Sequence, residues 1–147
     1  MTQSLCVHFG RVARCCIAAC SLVVIGVFAS THAVACNAPQ RPMQQIELMF
    51  GRNIAGRLAV GEAAWSRFLA RQITPRFPDG LTVLNATGQW RDRKRGGIVH
   101  EPSKLVIIVT ADDASASDKI ASIVAAYRQH FRQRSVGVVT SPVCAAF

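Results

Sequence analysis

The side chains best suited to chemistry in this 147-residue sequence are Arg52, Gln89, Trp90, Arg91, Glu101 and Lys104. The two guanidinium groups offer forked donors, the lysine a point charge and the tryptophan a stacking face, a set that could clamp a small anion. The plainer reading, which the residue types favour, has Trp90 plugging a hairpin while Arg91 and Glu101 pair across it. A second group, Arg76 and Asp79 in the Pro-rich turn 74–80, could orient a ligand or hold a structural corner. A third is the run Arg91-Asp92-Arg93-Lys94-Arg95, with four positive charges in five residues. Clustered basic residues neutralise phosphates, but Trp90 is the only ring beside the run and export keeps it from genomic DNA, so nucleic acid is disfavoured. An anionic envelope surface, an acidic partner or a solvated hairpin tip fits the run better.

The remaining inventory argues against metals and cofactors. Beyond the export segment described below, His100 and His130 are the only histidines, and they have no short ligand spacing. There is no glycine-rich phosphate loop, nucleophile-elbow serine or paired-histidine helix. Glu101 and Asp79 are expected too far apart to work as a paired acid and base. The residue types therefore favour binding over catalysis and predict no metal and no cofactor.

Residues 1–35 read as a secretory signal. Arg11 and Arg14 are followed by the uncharged apolar stretch 15–28, a short polar segment, and Ala33-Val34-Ala35, the small-x-small pattern of a cleavage site. The apolar run is shorter than the roughly 20 residues a bilayer crossing takes, so export is favoured over a retained anchor. Cleavage would remove Cys6, Cys15, Cys16 and Cys20 and lower the net charge from +9 to +7. Cys36 and Cys144 then remain, one at each end. A disulfide between them is the expectation in an oxidising compartment. Lipidation of Cys36, after a degenerate lipobox, is the alternative, and it would leave Cys144 unpaired. A catalytic thiol is the least favoured reading, since no motif places a histidine near Cys144.

These side chains need a scaffold, and hydrophobic periodicity outlines one. Half the residues are hydrophobic and 17% are charged, too apolar a mixture for disorder throughout. Residues 36–43 form a leader, and 44–147 a single domain. Alternation of Ile46, Leu48 and Phe50 predicts a strand over 44–50. Trp65, Phe68, Leu69 and Ile73 predict a helix over 62–73, which Thr74-Pro75 ends. A strand over 81–86, a charged hairpin loop over 90–97 and an apolar strand from Lys104 follow. Asp112 and Asp113 offer N-caps for a second helix whose stripe is Ile120, Ile123, Val124, Tyr127 and Phe131. The last strand covers 135–140, closed by Pro142.

The order β-α-β-β-α-β is the ferredoxin-like split β-α-β arrangement: an α+β domain whose four-stranded antiparallel sheet carries two helices on one face. In that topology the loop after the first strand and the hairpin between the second and third share one end. Arg52, Gln89, Trp90, Arg91, Glu101 and Lys104 are thereby gathered there, while 74–80 lies at the other end with Asp112 and Asp113. The run from Leu105 to Val109 is apolar at every position, which calls for cover on both faces. Two helices cover only one, so the open face is expected to meet a second copy in a homodimer, the N-terminal segment or a hydrophobic ligand.

Several strings occur in a recognisable order: Phe50-Gly51-Arg52, then Ile73-Thr74-Pro75-Arg76-Phe77-Pro78-Asp79-Gly80-Leu81-Thr82-Val83, then Gly88-Gln89-Trp90-Arg91 and Glu101-Pro102-Ser103-Lys104. Tyr127, Ser135-Val136 and Pro142-Val143-Cys144 complete them. The chain from about Glu47 to Phe147 thereby resembles the domain of unknown function 3574 family of small exported bacterial proteins. Asn85-Ala86 departs from it, standing where members tend to carry an acidic residue. The resemblance implies export and one domain and brings no catalytic assignment. The expectation is an exported, periplasmic or secreted module that binds a small anionic ligand or a protein partner. A small exported enzyme using the Arg52–Lys104 cluster, or an envelope-interaction protein acting through the basic hairpin, are the alternatives.

Overall fold

In the computed structural model, residues 35–54, 56–93 and 96–147 are described. The expected signal segment, apart from Ala35, and Lys94 and Arg95 of the basic run lie outside the described residues. Strand β1 (Arg41–Gly51) occupies the middle of the sheet and buries Ile46, Leu48 and Phe50 on one face. A short hairpin, β2 (Asn53–Ile54) and β3 (Arg57–Leu58), leads into helix α1 (Glu62–Phe68). The chain then forms β4 (Thr82–Arg91), β5 (Ile98–Thr110), helix α2 (Ala114–Phe131) and β6 (Gly137–Ala145). The order across the antiparallel sheet is β4-β5-β1-β6. This is the ferredoxin-like arrangement expected from the element order.

Register explains the core. Ile46, Leu48 and Phe50 lie opposite Ile108, Val106 and Lys104, so all six share the helix-facing side. An aromatic cluster seals that layer: the Tyr127 ring lies 4.7 Å from Phe50, 5.0 Å from Phe68 and 4.8 Å from Phe131, in tilted and edge-on contacts. Helix α2 begins where Asp113 accepts a hydrogen bond from the Ala116 amide at 2.9 Å. Hydrogen bonds from Ser115 and Ala116 hold the Asp113 carboxyl below its ordinary value.

Several boundaries differ from the sequence reading: β1 begins at Arg41 inside the expected leader 36–43, β5 begins at Ile98, and β6 runs from Gly137 to Ala145. Helical turns pass through Thr74-Pro75, because α1 continues as a π-helical turn (Leu69–Ile73) and a 3-10 turn (Thr74–Arg76). Proline opens that last turn, where a missing N–H costs nothing. The hairpin between β4 and β5 is shorter than expected, and Trp90 and Arg91 belong to β4, paired with Val99 and Ile98. Charged residues extend the ladder because the backbone groups pair whatever the side chains are. Pro142 lies within β6 and does not end it, opposite Gln44. An edge strand accommodates a residue with no N–H to donate.

Among the described residues no helix covers the other sheet face. Leu105, Ile107 and Val109 are half-buried there, with Met49, Leu84 and Val139 exposed beside them. Cys36 and Cys144 are joined by a disulfide spanning 108 residues, with Cα atoms 5.5 Å apart. The bond uses the Cys36 sulfur that a lipid anchor would need. No helix among the described residues is long and apolar enough to cross a membrane. Closing so long a loop restricts the unfolded chain, so replacing both cysteines with serine should lower the unfolding free energy by about 4 kcal/mol. Urea unfolding of the oxidised protein and the double variant measures this, and a difference below about 1 kcal/mol would refute it.

Candidate functional site

Parity along β5 divides the six candidate residues. Lys104 and Glu101 are three positions apart in one strand, so they face opposite sides of the sheet. Arg52, immediately after β1, and Lys104 are turned towards the helices and are 7% and 5% exposed. Arg52 Nε donates to the Val60 carbonyl at 2.7 Å and its Nη1 to Glu62 Oε1 at 2.7 Å. Lys104 Nζ donates to Glu62 Oε2 at 2.9 Å and to Asn85 Oδ1 at 2.5 Å. Each oxygen of one helix α1 carboxylate thus meets a different buried cation. The Lys104 ammonium and the Arg52 guanidinium hold the Glu62 carboxyl below its ordinary value of 4.5. Asparagine at position 85 suits this arrangement, since its amide oxygen completes the lysine's shell without adding charge.

Glu101 and Trp90 occupy the open face at the same end of the sheet. Glu101 lies opposite Gly88 in the ladder and Arg91 opposite Ile98, so the expected Arg91–Glu101 pair across the hairpin is not formed. Trp90 does not plug the hairpin; it stands 42% exposed on the sheet face. Glu101 Oε2 accepts from the Asn53 amide at 3.3 Å. A Cβ added at Gly51 would lie 2.8 Å from Glu101 Oε1, and one added at Gly88 would lie 2.8 Å from Ser103 Oγ. Both glycines therefore clear the space that Glu101 and Ser103 occupy.

The result is a cleft of about 670 Å³ floored by Gly51, Gly88 and Gly137, with Met49, Trp90 and Val99 as its apolar walls. Asp92 and Glu101 bring carboxylates to it, and Arg132 and Arg134 bring guanidinium groups from the loop after α2. Gln89 lies at its rim, whereas Arg91, Arg52 and Lys104 do not line it. Chemically, such a cleft can stack a flat ring on Trp90, accept donors on Glu101 and bind oxygens through the arginines. Among the described residues no group of three or more His, Cys, Asp or Glu side chains converges as a metal site would require.

The sequence reading missed Glu62, Asn85, Arg132, Arg134 and the clearing glycines. Gly51 and Gly88 stood in the quoted strings without a role, and strand parity would have separated Glu101 from Lys104 once 98–110 was taken as one strand. Glu62 and Lys104, 42 positions apart, share no local signal.

Fold and cleft together define a small ferredoxin-like α+β module with an open-face pocket. Among solved structures, a phage SAM lyase in complex with S-methyl-5'-thioadenosine has a similar fold, with a TM-score of 0.56 and 16% identity over 71% of this chain and 90% of the lyase. The same comparison with the phage SAM lyase in its apo state gives 0.56 and 15% over 77% and 92%. CutA from Synechococcus elongatus matches at a TM-score of 0.48 and 7% identity, over 72% of this chain and 82% of its own. At these identities the likeness to the lyase is one of fold. No curated protein is significantly similar in sequence. Residues 45–147 match the family described as Protein of unknown function (DUF3574), and the chain belongs to that family.

A depressed carboxyl pKa stabilises the folded state above the unfolded value and ceases to do so as pH falls through the folded one. Stability should therefore drop as the pH is lowered from 4.5 through the folded-state value of Glu62. Glu62→Gln leaves two buried cations facing a neutral amide, so it should lower the melting temperature by several degrees at pH 7. It should also flatten the acid limb. Thermal melts from neutral to strongly acidic pH check both, and an unchanged midpoint with an unchanged acid limb would show that the carboxylate is dispensable.

Proposed function

We propose that this protein is an exported binding module whose site is the open-face cleft, and that its ligand is a small molecule with a flat ring and polar or charged groups. The observation that carries this reading is the glycine-cleared floor beneath Glu101, next to an exposed tryptophan. A half-exposed Trp on a sheet face offers a stacking surface, and Gly51 leaves room for the carboxylate that a donor on the ligand would meet, while Gly88 leaves room for the Ser103 hydroxyl beside it. Arg132 and Arg134 supply the anion-binding part that the sequence reading gave to Arg52, Arg91 and Lys104. The Cys36–Cys144 disulfide supports an oxidising compartment.

The phage lyase of similar fold holds S-methyl-5'-thioadenosine. For this chain, nucleosides bearing a thioether are therefore the first class to test, with free adenosine and acidic metabolites beside them. Chemical change of a bound compound would turn the same cleft into an enzyme site, with Glu101 as the group placed to accept a proton. A second reading, a homodimer, is favoured by the exposed Met49, Leu84 and Val139 on the same sheet face. A second copy there would roof the cleft, and sedimentation across a concentration series would detect it.

The chain's two tryptophans make the ligand test direct, since Trp65 is buried in the core and Trp90 is exposed. Ligand should quench the Trp90 fluorescence saturably and raise the melting temperature by several degrees at 100 times its dissociation constant, about 2.7 kcal/mol. Trp90→Ala and Glu101→Gln should each weaken binding at least tenfold with little change in the unliganded melting temperature. Binding that survives both substitutions would place the site elsewhere.

A further inference from the structure

The helical layer carries a second cleft, also about 670 Å³, between α1 with its π-helical turn and the C-terminal half of α2. Its apolar lining comes from Ala64, Phe68 and Ala126, and its polar lining includes Arg67, Arg71, His130 and Arg132. No carboxylate lines it, and none of these three arginines enters an ion pair among the described residues. All three are exposed, so their guanidinium groups are free to turn towards a ligand.

Two backbone irregularities border this cleft, and each carries one of its arginines. Arg71 lies in the π-helical turn Leu69–Ile73, a conformation that is rare and recurs at functional sites. Arg132 caps α2 at φ +51°, the only non-glycine residue with positive φ among the described residues. Glycine is the usual occupant of such a position because it avoids the steric cost of a Cβ there. Attraction of a cation to the helix C-terminus does not account for the choice, since Arg128 and His130 already provide it in the last turn.

We propose that this cleft is a binding site for a compact oxyanion of the phosphate class, held by the forked donors of Arg67, Arg71 and Arg132. Guanidinium geometry matches phosphate oxygens two at a time, and three such groups around one concave surface suit a doubly or triply charged ligand. Arg132 borders both clefts, so Arg67 and Arg71, which line this one alone, are the residues that tell the two sites apart.

The test is isothermal titration of the purified protein with inorganic pyrophosphate at fixed ionic strength. Saturable binding should weaken at least tenfold in the Arg67→Gln/Arg71→Gln double variant and stay unchanged in Arg57→Gln, an exposed arginine outside the cleft. Arg132→Gly should raise the melting temperature, by relieving the left-handed conformation, while weakening binding several-fold. A purely structural role for Arg132 would move the first quantity and leave the second alone. Absence of saturable binding at millimolar pyrophosphate, or equal weakening by Arg57→Gln, would overturn the proposal and leave only a diffuse basic surface.

Discussion

Two cations buried at one end of the sheet have a single carboxylate between them, and much of the architecture follows from meeting that requirement. A buried guanidinium or ammonium is costly without a counter-charge and without acceptors for its N–H groups. Glu62 meets both Arg52 and Lys104, while the Val60 carbonyl and Asn85 take further donors. Since Glu62 is the first residue of α1 and its side chain remains 64% exposed, the helix must start over this point for its carboxylate to reach inward from solvent. The first turn is also where a carboxylate favours the helix dipole, so capping electrostatics and ion pairing act together. Helix α2 is tied to the same strand end: the Tyr127 hydroxyl donates to the Gly51 carbonyl at 2.9 Å, and burial raises the phenol's pKa, keeping it a donor.

Anchoring the exit of β1 from the helix side has a consequence on the other side of the sheet. Gly51 sits between the Tyr127 hydroxyl beneath and the Glu101 carboxylate above, and the Asn53 amide, two residues on, also holds that carboxylate. The charged groups of this end therefore fall into two sets. Arg52, Lys104 and Glu62 satisfy one another under the sheet, while Glu101 and Trp90 are presented above it. Arg52 and Lys104 are 7% and 5% exposed, whereas Trp90 is 42% exposed, and Asp92, Arg132 and Arg134 line the cleft beside Glu101. The mixed chemistry of the open face, with apolar residues around a carboxylate and two arginines at the margin, is what a selective small-molecule site requires.

Much of the fold was legible because the core obeys simple periods. Ile46, Leu48 and Phe50 alternate in β1 as a half-buried strand must, and Ile120, Ile123, Tyr127 and Phe131 mark the buried stripe of α2. The disulfide between Cys36 and Cys144 was legible once the expected export segment had set the other four cysteines aside, with lipidation of Cys36 as the alternative. The site was legible only as a neighbourhood. The charged composition of 90–97 reads as loop, yet Trp90 and Arg91 join β4 because pairing with β5 decides strand length. Once they are strand residues, strict alternation sends neighbours to opposite faces, and the six gathered candidates separate. The partner of Lys104 could not be read locally, because contact with Glu62 depends on where helix α1 begins beneath the sheet.

On the proposed reading, the groups of this end that meet a ligand lie on the open sheet face, and Arg52 and Lys104 do not. Backbone and indole chemical-shift mapping during titration with S-methyl-5'-thioadenosine tests it most directly. Shifts should concentrate at the amides of Gly51, Gly88, Glu101 and Gly137 and at the Trp90 indole, with the Glu62 and Lys104 amides little changed. Shifts centred on Arg52, Glu62 and Lys104, or none at the open-face cleft, would contradict it.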